Sequence, residues 1–164
     1  MATVTHSPPW PDFGRRRTLV LPLSGDWLQG LPERLVIDGI ALARKPEVHL
    51  TLLDREASAK VLAAPGAEAV RRVFLDAGDW TVRPLPGLRL LRRQRPGDLR
   101  HSLVRDAACP SLDRFRDGLG LEPVPAHVTL YTAGDATGIG LPDAASLARL
   151  TLRRVSPREL SPAG

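Results

Sequence analysis

The stretch PEVHLTLLDRE, Pro46–Glu56, sets a histidine inside an apolar, β-branched run and follows it two positions later with a threonine. Its apolar continuity and short length, ended by a charged cluster, predict a buried strand over EVHLTLL. In a strand, residues i and i+2 share a face, so His49 and Thr51 stand side by side while Leu50 and Leu52 point the other way. The stretch PAHVTLYT, Pro125–Thr132, repeats the arrangement with His127 and Thr129 on one face and Val128 and Leu130 on the other. Alternation places Tyr131 in the same row as His127 and Thr129, whereas Leu53 holds that place in the first stretch. With four histidines and nine threonines in 164 residues, about 0.2 His-x-Thr triplets arise by chance, so two in matching strands call for an explanation.

The remaining elements are read outward from these strands. TLVLPL (Thr18–Leu23) predicts a strand, and RLVIDGIALAR predicts a hairpin turning at Asp38-Gly39. Val70, Val73, Phe74 and Ala77 recur at helical spacing across Ala67–Ala77, with Gly78 as the stop. DWTVRPLPGLRLLRRQ reads as two strands joined at Leu85-Pro86-Gly87, and RHSLVRDAA reads as a third. Pro110 and Ser111 open a helix, AGDATGIGL forms a glycine-rich connection, a short helix covers Pro142–Leu150, and LTLRRV closes as a strand. Mixed helices and hairpins give an α+β class with antiparallel pairing. Each His-x-Thr strand comes shortly before a helix and a further strand, a likeness that predicts two similar βα lobes.

Length allows one domain with a single core. Residues 1–16, rich in proline and without periodicity, read as a flexible N-terminal arm, and residues 17–164 as the domain. With 43% hydrophobic and 25% charged residues, the composition is that of a water-soluble chain. No apolar run reaches the ~20 residues of a membrane helix, and the opening residues lack the apolar core of a secretory signal. A cytoplasmic, monomeric protein without membrane attachment is expected. The single Cys109 has no disulfide partner within the chain. The net charge of +5 rests on arginine, since Lys45 and Lys60 are the only lysines. Arginine grips phosphate bidentately, which suits a nucleotide or RNA partner, but a genome preferring arginine codons gives the same excess.

HLT at His49–Thr51 and HVT at His127–Thr129, 78 positions apart in hydrophobic strands, resemble the paired signature of the two-histidine (2H) phosphoesterase superfamily, which includes RNA 2′,3′-cyclic phosphodiesterases. The likeness covers most of the chain after the arm. It implies two βα lobes with antiparallel sheets flanking a central cleft, and hydrolysis of a 2′,3′-cyclic phosphate on a nucleotide or RNA end without metal or other cofactor. By this resemblance His49 and His127 are the acid–base pair, and Thr51 and Thr129 hold the phosphate. The chemistry agrees: two imidazoles with an ordinary pKa of ~6.5 can share proton removal and donation, and hydroxyls can donate to phosphate oxygens. A noncatalytic nucleotide- or RNA-binding module on the same scaffold is the alternative.

Tyr131, Arg93 and Arg105 are further candidates for substrate contact. His101 lacks a following threonine and reads as an edge histidine, and His6 lies in the arm. The glycine-rich connection is not followed by Gly-Lys-Ser/Thr, which excludes a P-loop. It reads as a flexible loop at the cleft rim or simply as a connection. No spaced acidic cluster or third ligand favours a metal site. Aromatic residues make up only 4%, too few for a platform that stacks single-stranded bases, which favours a small cyclic nucleotide or an oligonucleotide end over long RNA.

Overall fold

A computed structural model of the chain describes residues 3–5 and 8–161. The class is α+β, built on an open antiparallel sheet. In chain order the strands are β1 (Thr3–Thr5), β2 (Leu19–Pro22), β3 (Arg34–Ile37), β4 (Ile40–Arg44), β5 (His49–Leu53), β6 (Trp80–Arg95), β7 (Asp98–Ala108), β8 (His127–Ala133) and β9 (Thr151–Arg154). The helices are α1 (Arg55–Ala63), α2 (Ala67–Asp76), α3 (Pro110–Gly118) and α4 (Ala144–Leu150).

The sheet runs β1-β6-β7-β8-β4-β3, with β9 added beside β6. On the far edge of β8 the neighbour changes along its length: β5 pairs near its start and β4 near its end, and β2 lies outside β5. The β3–β4 hairpin turns at Asp38-Gly39, where both residues take positive φ, 52° and 78°. Two left-handed residues match the twist of a two-residue hairpin, which is why this dipeptide signals it.

The sheet separates two apolar layers. On one face α1, α2 and α3 bury Val61, Val70, Phe74, Leu112 and Phe115 against Leu19, Leu50, Leu52 and Val128. Trp80 stacks on Phe74 at 4.7 Å. On the opposite face α4 and the loop after β8 cover a smaller cluster of Leu91, Val104, Ile139 and Leu141.

Three features depart from the sequence reading. Trp80–Arg95 is one long strand rather than two, because the prolines at 84 and 86 shift the register between Pro84 and Leu88 without reversing the chain. The arm is tied down: Thr3–Thr5 pairs with Trp80–Val82, and Trp10 meets Phe74 edge-on at 5.3 Å. An additional helix, α1, starts directly after β5, with the Asp54 carboxylate accepting the Ala57 amide at 2.8 Å. That capping bond is the local reason the chain turns helical there.

Arg116 of α3 links the helical layer to the first motif strand. Its guanidinium is buried, donating to the Glu122 carbonyl at 2.7 Å and to the Leu52 carbonyl at 3.0 Å. Arg116→Met keeps the aliphatic stem but leaves two buried carbonyls without donors. It should cost about 2 kcal/mol of unfolding free energy, read as a lower urea midpoint at unchanged slope.

Candidate functional site

The site is built where β5 meets β8. These strands are antiparallel, with Leu50 opposite Val128. One residue to either side, His49 faces Thr129 and Thr51 faces His127, all four on the face away from helices α1–α3. The histidines occupy one diagonal of this square and the threonines the other. Diagonal neighbours across an antiparallel pair stand about 7–8 Å apart, so two ring tips can flank a small group between them. Leu50 and Val128 are fully buried on the helix side and hold the register.

Each motif strand carries an irregularity immediately after its threonine. Against β2, β5 has one extra residue at Leu52, since Thr51 pairs with Val20 but Leu53 with Leu19. Against β7, β8 has one extra residue at Leu130, since Thr129 pairs with Val104 but Tyr131 with Leu103. Such a bulge breaks alternation and returns the next side chain to the core. Leu53 and Tyr131 are both fully buried, and the Tyr131 hydroxyl donates to the Pro32 carbonyl at 2.7 Å. Alternation had put Tyr131 in the row of His127; the bulge removes it from the site, and with it the asymmetry between the two motifs.

Arg105 is also removed. It shares a row with Leu88 and Val128 on the opposite face, where its guanidinium donates to the Leu85 carbonyl at 3.1 Å. His101 alternates with Arg105 onto that same face. Arg93 does lie on the site's side of the sheet, but near the hairpin end of β6, where it pairs with Asp98 at 3.0 Å. His6 lies outside the described residues.

The structure adds residues that the sequence reading did not single out. Asp106 of β7 is opposite His127. It accepts Arg89 Nε at 2.9 Å, and Arg154 lies 3.9 Å from its other oxygen. A Cβ on Gly87 would fall 2.3 Å from Asp106, so only glycine lets the carboxylate rest there without displacement. The glycine-rich loop covers the second motif: a Cβ on Gly138 would sit 3.0 Å from Thr129 Oγ1. Lys45 holds this loop through the Ala136 carbonyl at 2.7 Å, and Arg16 holds it through the Thr137 hydroxyl at 2.5 Å. A cavity of about 340 Å³ opens beside His49, walled by Val20, Pro22, Leu23, Leu28 and Val48 and by the acidic Glu47.

Both motif histidines sit below the usual imidazole pKa, chiefly because burial disfavours the charged ring. Their neighbours differ. Lys45 and His127 push His49 further down, against Glu47. His127 is pushed up by the Pro125 carbonyl and the Asp106 carboxylate, which partly offset burial. His127 Nδ1 lies 3.0 Å from the Pro125 oxygen, so Nδ1 carries a proton and Nε2 is the atom left for chemistry. Among the described residues, no group of three or more His, Cys, Asp or Glu is placed to hold a metal, and no helix is long and apolar enough to cross a membrane.

Comparison with protein-family models, with curated proteins and with solved structures finds no match to this chain.

Because folding lowers the pKa of His49 and His127, the unfolded chain takes up protons first as pH falls through about 6.5. Stability is then lost on acidification until the folded-state values are passed. Denaturant melts at pH 7 and 5.5 should show the lower stability at 5.5, and the double variant His49→Asn, His127→Asn should show a smaller difference. An unchanged pH dependence in the double variant would contradict this reading.

Proposed function

We propose that the chain is a metal-independent phosphoesterase of the 2H type that hydrolyses a 2′,3′-cyclic phosphate on a nucleotide or RNA end. The observation that carries this reading is the square of two imidazoles and two hydroxyls across the Leu50–Val128 pair. The matching bulges after Thr51 and Thr129 support two similar halves, β2–β5 with α1 and α2, and β6–β9 with α3 and α4, facing the substrate from either side.

A cyclic phosphate seated between the diagonals would accept hydrogen bonds from Thr51 and Thr129 on its non-bridging oxygens, where negative charge grows in the transition state. His49, kept neutral by burial and by Lys45, takes a proton from water as the water oxygen bonds to phosphorus. His127, lowered by burial but partly restored by the Pro125 carbonyl and the Asp106 carboxylate, gives its proton to the ribose oxygen as the P–O bond breaks. The product is a phosphomonoester beside a free hydroxyl. Protons exchanged with solvent then restore the pair. The cavity next to His49, with aliphatic walls and the Glu47 carboxylate, suits the nucleoside.

Turnover of 2′,3′-cyclic nucleotides in the presence of EDTA tests the reading. His49→Ala and His127→Ala should each lower kcat by about 10²–10⁴, and Thr51→Val or Thr129→Val by about 10². Intact substrate after prolonged incubation, or full activity in both histidine variants, would refute hydrolysis by this pair. Tight, salt-sensitive nucleotide binding without turnover would favour a noncatalytic module.

The role assignment has its own test. Removing Lys45 relieves His49, so Lys45→Met should move the acidic limb of the pH–rate profile to higher pH. Asp106→Asn removes a group that favours charged His127, so the alkaline limb should move to lower pH. The opposite pairing of variants and limbs would reverse the roles.

A further inference from the structure

We infer that Arg15, Arg16, Arg17 and Arg55 form a second phosphate site, so that the preferred ligand carries another phosphoryl group besides the one held between the motifs. The inference rests on the site reading above for the position of the first phosphate.

The four arginines and Thr18 line a single open pocket of about 500 Å³. Some arginines elsewhere in the chain are matched with carboxylates: Arg89 with Asp106, Arg93 and Arg100 with Asp98, and Arg153 with Asp38 and Glu159. Among the described residues, Arg15, Arg17 and Arg55 form no such pair. Asp54, next to Arg55 in the chain, is engaged as the cap of α1. Four cations around one pocket suit a bound dianion, because guanidinium geometry matches phosphate oxygens in bidentate pairs.

The backbone gathers these side chains. Arg17 donates its amide to the Gly14 carbonyl at 2.9 Å, and Gly14 donates to Thr18 at 3.0 Å, closing a turn in which Arg17 takes φ 54°. A left-handed arginine is disfavoured by about 1–2 kcal/mol. The turn brings three consecutive arginines to one end of β2, where an extended strand would send neighbours to opposite faces.

The pocket lies beyond the Thr51 end of the site. Thr18 precedes by two residues Val20, the partner of Thr51, and Arg55 follows Thr51 by four. At about 3.3 Å per strand residue, the pocket begins roughly 10 Å from Thr51, a separation that one nucleotide with phosphates at both ends can bridge. Arg16 also touches the loop that covers Thr129, so the two sites share a wall.

The donor of the second phosphoryl group is either a terminal phosphate or the phosphodiester of a preceding nucleotide, and three substrates separate these. The full-length chain is assayed with a 2′,3′-cyclic mononucleotide, with the same compound bearing a 5′-phosphate, and with a dinucleotide ending in the cyclic phosphate. The expected result is a kcat/KM at least ten-fold above the bare nucleotide for one or both, expressed mainly in KM and shrinking with added salt. Arg15→Gln, Arg17→Gln, Arg55→Gln together should bring that ratio close to one. No gain in the native chain, or a gain that survives the triple substitution, overturns the second site. If no substrate turns over, the hydrolase reading fails separately. Calorimetric binding of a nucleoside 3′,5′-bisphosphate against the 3′-monophosphate then decides the pocket by the same ratio, native chain against triple variant, and equal affinities in the native chain reject it.

Discussion

One cross-strand pair, Leu50 opposite Val128, governs the arrangement of the polar residues. Both side chains are buried under the helices, and their burial selects the register in which β5 and β8 meet. A slip by one residue on either strand would turn its histidine and threonine toward Phe74 and Phe115 and its apolar residues toward the open face. The penalty is twofold, since two polar side chains would enter an apolar layer and two aliphatic ones would leave it. The chemistry of the open face is therefore held in place by the hydrophobic packing behind it.

The same packing explains why the open face carries only one His-x-Thr row per strand. After Thr51 and again after Thr129 the backbone takes in one extra residue, and the strand hands its next side chain to the core. Arg116 holds the first of these bulges from behind, through the Leu52 carbonyl. On the second, the burial of Tyr131 and its bond to the Pro32 carbonyl hold the turned side chain. Both devices sit on the helix side of the sheet, away from the face that carries the two motif rows.

The elements that can be read in the sequence are those with local causes. Strand alternation placed His49, Thr51, His127 and Thr129 on common faces, the Asp-Gly turn announced the β3–β4 hairpin, and helical spacing announced α2. What escaped has nonlocal causes. The pairing of β5 with β8 joins segments 78 residues apart, and no pattern within either segment names its partner. Leu52-Leu53 and Leu130-Tyr131 are apolar whichever way they point, so a bulge there leaves no trace in the residue pattern. Asp106 becomes a neighbour of His127 only once β7 is known to lie beside β8. The cap at Asp54 was a visible local signal for α1, hidden by the weakly apolar sequence that follows it.

The excess of arginine carried two readings, an anionic partner or a genomic habit. A genomic habit sets how many arginines a chain has but not where their charges are balanced. Along β6, β7 and β9, Arg89, Arg93, Arg100 and Arg153 are paired with Asp98, Asp106 or Glu159 and add little to the outer field. Arg15, Arg17 and Arg55 gather without a carboxylate at the Thr51 end, and Lys45 lies at the other motif's loop. Positive charge thus borders the face that bears the two imidazoles, with Asp135 and Glu47 acting on Lys45. A rim of cations raises the local concentration of anions over that face before any specific contact forms. The disposition of the arginines, more than their number, is what bears on the proposed phosphate-bearing ligand.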